Sequence, residues 1–292
     1  MESGGKSWIA CGDNLAIMDA LLAAERAGAL DLIVTDPPFF TGKEQRRADV
    51  AYSDVWDSLE SYLDWLRATL TRCHALLRET GSLFLHLDWR ASHHARVLLD
   101  ALFGEGGESG APGFRNEIIW CYNGPGSPGM GQFNRKHDTI LWYSKSATWA
   151  FNRDAVRVAH HEKTRANFRA DLAGSGFVNP GYALNGGGKI PEDWWQFPVA
   201  ARFPVDGETR VGYPTEKPLA LVERIVLAAS NPGDLVADFL CGGGTVPFAA
   251  AKHGRRFWAS DASDTAVEMS AARLRRTCVD FEILGEVPVA RA

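Results

Sequence analysis

An α/β fold, with strands and helices alternating around a mainly parallel sheet, is predicted by three observations. Short apolar runs end in a carboxylate, as in Leu30 to Thr35 before Asp36 and Arg256 to Ser260 before Asp261. Between such runs lie segments with apolar residues at helical spacing, Ser58 to Arg78 being the longest. A glycine turn, Cys241-Gly242-Gly243-Gly244-Thr245, joins a strand to a helix.

Taken in order, Ser7 to Cys11 reads as a strand, and Gly12-Asp13-Asn14 turns it into a helix with Leu15, Met18, Leu21 and Leu22 on one face. Gly28 stops that helix and Leu30 to Thr35 follows as the second strand, a β-α-β unit. The polar stretch from Thr41 to Asp57 fixes no structure and is read as a loop beside the strand end. Ser58 to Arg78 is a helix with Leu59, Tyr62, Leu63, Leu66, Leu70, Cys73 and Leu77 on one face, and Gly81 introduces the strand Ser82 to Leu87. Ala91 to Phe103 is a further helix. Asn116 to Tyr122 and Thr139 to Tyr143 are expected to pair as a hairpin closing one edge of the sheet.

From Ser146 to Gly212 the α/β rhythm stops. Structureless loops of that length are uncommon inside compact domains. Residues 146–212 are therefore read as an inserted recognition region in a domain built from residues 1–145 and 213–292. Regular structure returns with the helix Leu219 to Ser230, ended by Asn231-Pro232-Gly233, the strand Leu235 to Leu240, the helix Val246 to His253 and the strand Arg256 to Ser260.

Composition narrows the function classes. No apolar run approaches the roughly 20 residues that span a bilayer, and the first residues lack the apolar centre of a secretory signal, so a cytoplasmic location is expected. The five cysteines are scattered and never paired as C-x-x-C, which predicts reduced thiols and no metal site. The net charge is −5, yet Phe133 to Ala170 carries eight Lys/Arg against three acids, a local +5. Arg135, Lys136, Arg153, Arg157, Lys163, Arg165 and Arg169, interleaved with Trp149, Phe151 and Phe168, suit phosphates and stacked bases. A solvated loop face accounts for the same run equally well.

Two motifs carry chemistry. In Thr35-Asp36-Pro37-Pro38-Phe39-Phe40 the strand's last residue faces the crevice where α/β sheets bind ligands, and two prolines fix the backbone. The Asp36 carboxylate and the free Pro37 carbonyl are two acceptors above an aromatic face, an arrangement suited to the exocyclic amino group of a nucleobase. Alone, the stretch reads better as a strand followed by a Pro-Pro turn capped by Asp36, and a second motif is needed to make it chemistry. The second motif is the glycine turn with Asp261 roughly 20 residues beyond it, the nucleoside-binding half of a Rossmann-like fold. It lacks the third glycine of a dinucleotide fingerprint and the Gly-Lys-Ser/Thr of a phosphate loop. A nucleoside cofactor without phosphates remains, and S-adenosylmethionine fits.

With both motifs placed, the chain resembles the bacterial site-specific amino-methyltransferases of DNA. It is similar to the group whose catalytic motif precedes the cofactor motif, a circular permutation of the order on a Rossmann-like methyltransferase fold. Gly12-Asp13-Asn14 resembles the family's opening Gly-Asp, implying Asp13 near the cofactor adenine. Asp36, Pro37, Pro38 and Phe39 resemble the catalytic Asp-Pro-Pro-aromatic. Arg115 to Trp120 and Arg135 to Lys145 resemble the blocks before the target-recognition region. Tyr213 to Pro218 resembles Tyr/His-Pro-Thr-Glu/Gln-Lys-Pro, implying that Thr215 and Lys217 hold the methionine end of the cofactor. Asp238 to Thr245 resembles Asp-x-Phe-x-Gly-Ser-Gly-Thr, implying cofactor contacts from Asp238, Leu240, Cys241, Gly242, Gly244 and Thr245. Leu240 stands in place of the usual Phe, Gly243 of Ser, and Phe40 of the Asn common after the catalytic motif.

The resemblance implies double-stranded DNA as partner, and it admits a homodimer and a cognate restriction endonuclease. It favours adenine, flipped out onto Phe39 with its 6-amino group donating to Asp36 and Pro37. The 4-amino group of cytosine uses the same acceptors. Methylation of RNA or of a protein amide, and a non-catalytic DNA-recognition protein that binds the cofactor, are the other readings; a dehydrogenase ranks last because the dinucleotide fingerprint is missing.

Overall fold

The computed structural model describes residues 6–47, 50–107, 110–124, 131–169, 183–199 and 210–285. The chain begins with β1 (Ser7–Cys11), α1 (Asn14–Ala23), β2 (Leu30–Thr35), β3 (Lys43–Arg47), β4 (Val50–Asp54), α2 (Leu59–Leu76), β5 (Leu77–Leu87) and α3 (Ser92–Phe103). There follow β6 (Gly113–Cys121), β7 (His137–Ser144), a 3₁₀ turn at Arg153–Val156, α4 (Glu162–Arg169) and β8 (Trp194–Gln196). The last part is α5 (Leu219–Ala229), β9 (Leu235–Asp238), α6 (Thr245–Lys252), β10 (Arg256–Asp261), α7 (Asp264–Leu274) and β11 (Phe281–Leu284).

Among the described residues nine strands form one sheet in the order β11-β1-β10-β9-β2-β5-β7-β6-β8, with β7 antiparallel to its neighbours and the other pairings parallel. A parallel sheet must be covered on both faces, and all six residues of β2 are buried. Ile33 packs with Trp8, Met18, Tyr62 and Leu66 under α1 to α3. Its neighbours Leu32 and Val34 point the other way, to Val222, Val226, Ala249 and Val267 of α5 to α7. Each buried Leu, Ile or Val contributes roughly 1.5–3 kcal/mol, so these two layers anchor the strand that ends at Asp36.

Sheet order brings the two motifs together. β2 and β9 pair through Leu32↔Val236 and Ile33↔Ala237. The Leu235 N–H donates to Asp31 Oδ2 at 2.8 Å, across 204 residues of sequence. Both strands therefore end at one edge of the sheet, as does β10, paired to β9 up to Ala259↔Asp238.

Four expectations change. The Thr41 to Asp57 stretch is not a loop: it contains the antiparallel hairpin β3–β4, in register from Lys43↔Asp54 to Arg47↔Val50. Its polar sequence has no apolar face to announce a strand, and what pins it is the Asp54 side chain described below. β6 and β7 do pair, but they do not close the sheet. β8 adds outside β6 through Ile119↔Trp194 to Cys121↔Gln196, because Trp195 buries itself against Ile118 and Trp142. β5 starts at Leu77 rather than Ser82, and Gly81 permits this, since a Cβ there would lie 2.9 Å from the Leu30 carbonyl oxygen. Finally, α7 and β11 lie beyond the last strand assigned from sequence.

The described parts of residues 146–212 are sewn onto the main sheet. The chain leaves β7 at the edge opposite Asp36, and there Asn152 bonds the end of α5, N–H to the Ala228 oxygen at 2.7 Å and Nδ2 to the Ser230 oxygen at 2.7 Å. Among the described residues it returns to the Asp36 edge through β8. Residues 170–182 and 200–209 of this stretch, with most of the glycine-rich run Gly174 to Gly188 that the sequence carries there, lie outside the described residues.

Candidate active site

At the shared strand edge, Asp36, Asp238 and Asp261 line one cleft of about 290 Å³. Asp36 is gripped at both oxygens. His86 Nδ1 lies 2.7 Å from Oδ1, and the Lys217 ammonium donates to Oδ2 and, at 3.0 Å, to the Thr215 carbonyl. Burial works against the Asp36 charge, but Lys217 and His86 outweigh it and hold the carboxyl below the ordinary carboxylate range. Phe39 packs edge-on against the His86 ring at 5.1 Å, with the Lys217 ammonium 5.6 Å from its centre.

The turn after β2 is held by a carboxylate that the sequence reading missed. Asp54, 1 % exposed, accepts from the N–H groups of Phe39 (3.2 Å), Phe40 (3.0 Å) and Thr41 (2.9 Å), from the Thr41 hydroxyl (2.6 Å) and from the Trp56 indole (3.1 Å). The Tyr62 hydroxyl donates to the Pro38 carbonyl at 2.9 Å. No donor among the described residues reaches the Pro37 carbonyl. Phe40 bends to φ 62° and packs its ring on Tyr62 at 5.4 Å.

On the glycine-turn side, Asp261 accepts from Gly242 N–H at 2.9 Å and from Ser263 N–H at 3.0 Å. Burial nevertheless pushes its carboxyl up. Asp238 is 3 % exposed, and burial drives it well above the usual range; Leu240 N–H donates to it at 3.1 Å, while Asp36 and Asp261 add repulsion. Gly242 takes φ 48°, and a Cβ there would sit 2.7 Å from the Tyr213 ring. Leu240, Cys241, Thr215 and Thr245 line the same cleft. Arg273 of α7, itself buried, ties the turn to the loop before α5 by donating to Thr245 Oγ1 (2.9 Å) and pairing with Glu216 (3.3 Å).

Asp13 caps α1, accepting from Ala16 N–H at 3.0 Å. It is not among the residues lining the cleft, although its strand pairs with β10 up to Cys11↔Asp261. Tyr52 of β4 lies in the cleft unforeseen, its ring parallel to that of Tyr213 with centroids 6.3 Å apart. His86 and Asp138 were missed as well. His86 is the penultimate residue of a strand in the central sheet, a position of the same kind as the one that singled out Asp36.

The basic run does not form one surface. Arg135, exposed and stacked 4.0 Å over Trp89, and Lys136 stand at the Asp36 edge just before β7. Arg153 is exposed at the opposite edge, where Arg157 is tied to Asp154 (2.7 Å) and to the Gly188 carbonyl (2.8 Å). Lys163 and Arg165 are exposed on α4; the Arg169 and Phe168 side chains lie outside the described residues. No group of metal-binding side chains occurs among the described residues, and none of their helices is long and apolar enough to cross a membrane.

Comparison with known proteins accords with this geometry. Residues 30–272 match the family described as DNA methylase. Type II methyltransferase M.BglII of Bacillus subtilis is 28% identical over 243 residues, 83% of this chain and 62% of that protein. DNA adenine methyltransferase YhdJ of Escherichia coli (strain K12) is 28% identical over 262 residues, 88% of this chain and 80% of that protein. Among solved structures, PvuII DNA methyltransferase (cytosine-N4-specific) superposes with a TM-score of 0.60 at 18% identity, covering 92% of this chain and 89% of that one. That likeness carries the fold, a Rossmann-like α/β methyltransferase sheet. With most of the chain, from β2 into α7, inside the matched span, this protein belongs to the DNA methylase family.

Proposed function

We propose that this chain transfers a methyl group from S-adenosylmethionine to the exocyclic 6-amino group of adenine in double-stranded DNA, with the base flipped out of the duplex. The observation that carries the reading is the pair of acceptors at the end of β2. One oxygen of Asp36 is fixed by His86, and the other already receives a nitrogen donor, the Lys217 ammonium, from the cleft side. An exocyclic amine presents the same kind of donor, and the free Pro37 carbonyl takes its second hydrogen. Two acceptors of this kind localise the nitrogen lone pair for attack, while Phe39 offers a face for the ring. Asp36 held ionised is suited to this role at neutral pH.

When bound, S-adenosylmethionine supplies an electrophilic methyl on a positively charged sulfur. The lining fits it: four acidic side chains, Asp36, Glu216, Asp238 and Asp261, line the cleft against the single ammonium of Lys217. Gly242 leaves room at the turn, Gly244 lets the turn close on α7, Asp261 is placed for ribose hydroxyls, and Cys241, Leu240 and Thr245 supply the wall. Lys217 and Thr215 hold the methionine end, which requires Lys217 to leave Asp36. Asp13 lies near the adenine of the cofactor, at the neighbouring strand end. In-line alignment alone is worth roughly 7–11 kcal/mol in favourable cases. A homodimer and a cognate restriction endonuclease enter this proposal only through the family resemblance.

The test is transfer of labelled methyl from S-adenosylmethionine to unmethylated bacterial DNA, with the modified nucleoside identified by mass spectrometry. Methyladenine is the expected product. Methylcytosine would keep the chemistry and overturn the base, and no incorporation by protein that binds the cofactor would overturn the reading. Asp36→Ala is expected to lose transfer while cofactor affinity, read by calorimetry, stays near that of the unaltered chain.

A further inference from the structure

The grip on Asp36 continues away from the cleft. His86 Nε2 lies 3.4 Å from Asp138 Oδ2 at the start of β7 and has no hydrogen-bond partner within bonding geometry. The other Asp138 oxygen accepts from the Tyr122 hydroxyl at 3.2 Å. His86 is buried, and its ring is enclosed by the rings of Phe39 (5.1 Å) and Trp120 (5.5 Å). A neutral imidazole donates through one nitrogen only, whereas the protonated ring donates through both. Flanked by a carboxylate at each nitrogen, His86 matches the protonated form.

On the proposed methyl transfer, we infer that His86 is a positioning residue for Asp36. As an imidazolium donating to Asp36 on one side and Asp138 on the other, it fixes Asp36 Oδ1 and aims Oδ2 at the incoming amine. Asp138 keeps the ring charged and oriented. The charged groups facing the ring are Asp36 after β2, Asp138 of β7 and Lys217 before α5; Trp120 of β6 and Phe39 are uncharged. Burial and Lys217 oppose the imidazolium, the two carboxylates outweigh them, and His86 stays protonated above the ordinary histidine range. The positioning is therefore present at neutral pH and is lost as pH rises through the raised His86 value.

The experiment uses the full chain and its Asp138→Asn, His86→Leu and His86→Gln variants, each checked for a native melt and for S-adenosylmethionine binding. The imidazole titration is followed by NMR and methyl transfer to DNA is measured against pH. Asp138→Asn should lower the His86 titration by about one unit and carry the alkaline limb of kcat down with it. His86→Leu should lose about 10²-fold in kcat at unchanged KM for the cofactor, and His86→Gln, which keeps one N–H donor, should recover part of that. If the titration and the limb in Asp138→Asn match the unaltered chain, or if folded His86→Leu keeps full kcat, the inference fails while the methyltransferase reading stands. If the unaltered chain binds the cofactor and methylates no DNA, both fail.

Discussion

Phe40 takes a backbone conformation that costs an L-residue roughly 1–2 kcal/mol and that Asn and Gly tolerate. An Asn at this place would avoid that cost; here the ring offsets it by packing on Tyr62. Phe40→Gly and Phe40→Ala both lose the ring, but only Ala keeps the strain. Phe40→Gly should therefore be the more stable of the two by about 1 kcal/mol, as read from urea denaturation midpoints. Asp238 makes the opposite bargain, a buried carboxylate kept at the site of a cationic ligand. Its raised value means that it contributes stability below the ordinary carboxylate pKa of 3.8 and that this is lost as pH rises through the raised one. Asp238→Asn should accordingly melt higher than the unaltered cofactor-free chain at pH 7, with the gap closing as pH is lowered. It should also bind S-adenosylmethionine about tenfold more weakly, the loss of one charge-assisted contact.

At the scale of elements, the turn between β9 and α6 separates binding from stability. A Cβ at Gly244 would lie 2.6 Å from Ser270 Oγ and 3.0 Å from its Cα, at φ 71°, so it would push α7 off α6. A Cβ at Gly242 would instead meet the Tyr213 ring at the cleft mouth. Gly244→Ala is expected to cost about 2 kcal/mol or more in unfolding free energy. Gly242→Ala should cost less stability and more cofactor affinity, and thermal melts with and without S-adenosylmethionine distinguish the two. The β3–β4 hairpin shows how little of an element local sequence can reveal. Lys43 to Arg47 has no alternation, and the element exists because Asp54 collects the N–H groups of the turn after Asp36 and Tyr52 reaches the cleft.

For the whole molecule, the sheet's two edges decide which basic residues can serve DNA at Asp36. Arg135 and Lys136 stand at that edge, whereas the turn carrying Arg153 is docked under the far end of α5. Arg135→Ala and Lys136→Ala should each weaken duplex binding and lower the slope of log K against log salt by about 0.9. Arg153→Ala should change neither. Fluorescence anisotropy titrations over a range of KCl concentrations measure all three.

Sequence by itself determined the α/β class, the strands ending at Asp36 and Asp261, the glycine turn and the family likeness, because each rests on local periodicity, turn chemistry or motif order. Tertiary structure alone decided that β2 lies beside β9, that His86 and Asp138 stand behind Asp36, that Tyr52 enters the cleft, that β8 caps the sheet, and that the basic run is divided between two edges. These depend on which strands neighbour one another, a choice made by the burial of two apolar layers over separations of 204 residues and more. No local window of the chain contains both partners of such a contact, so no local pattern can announce it.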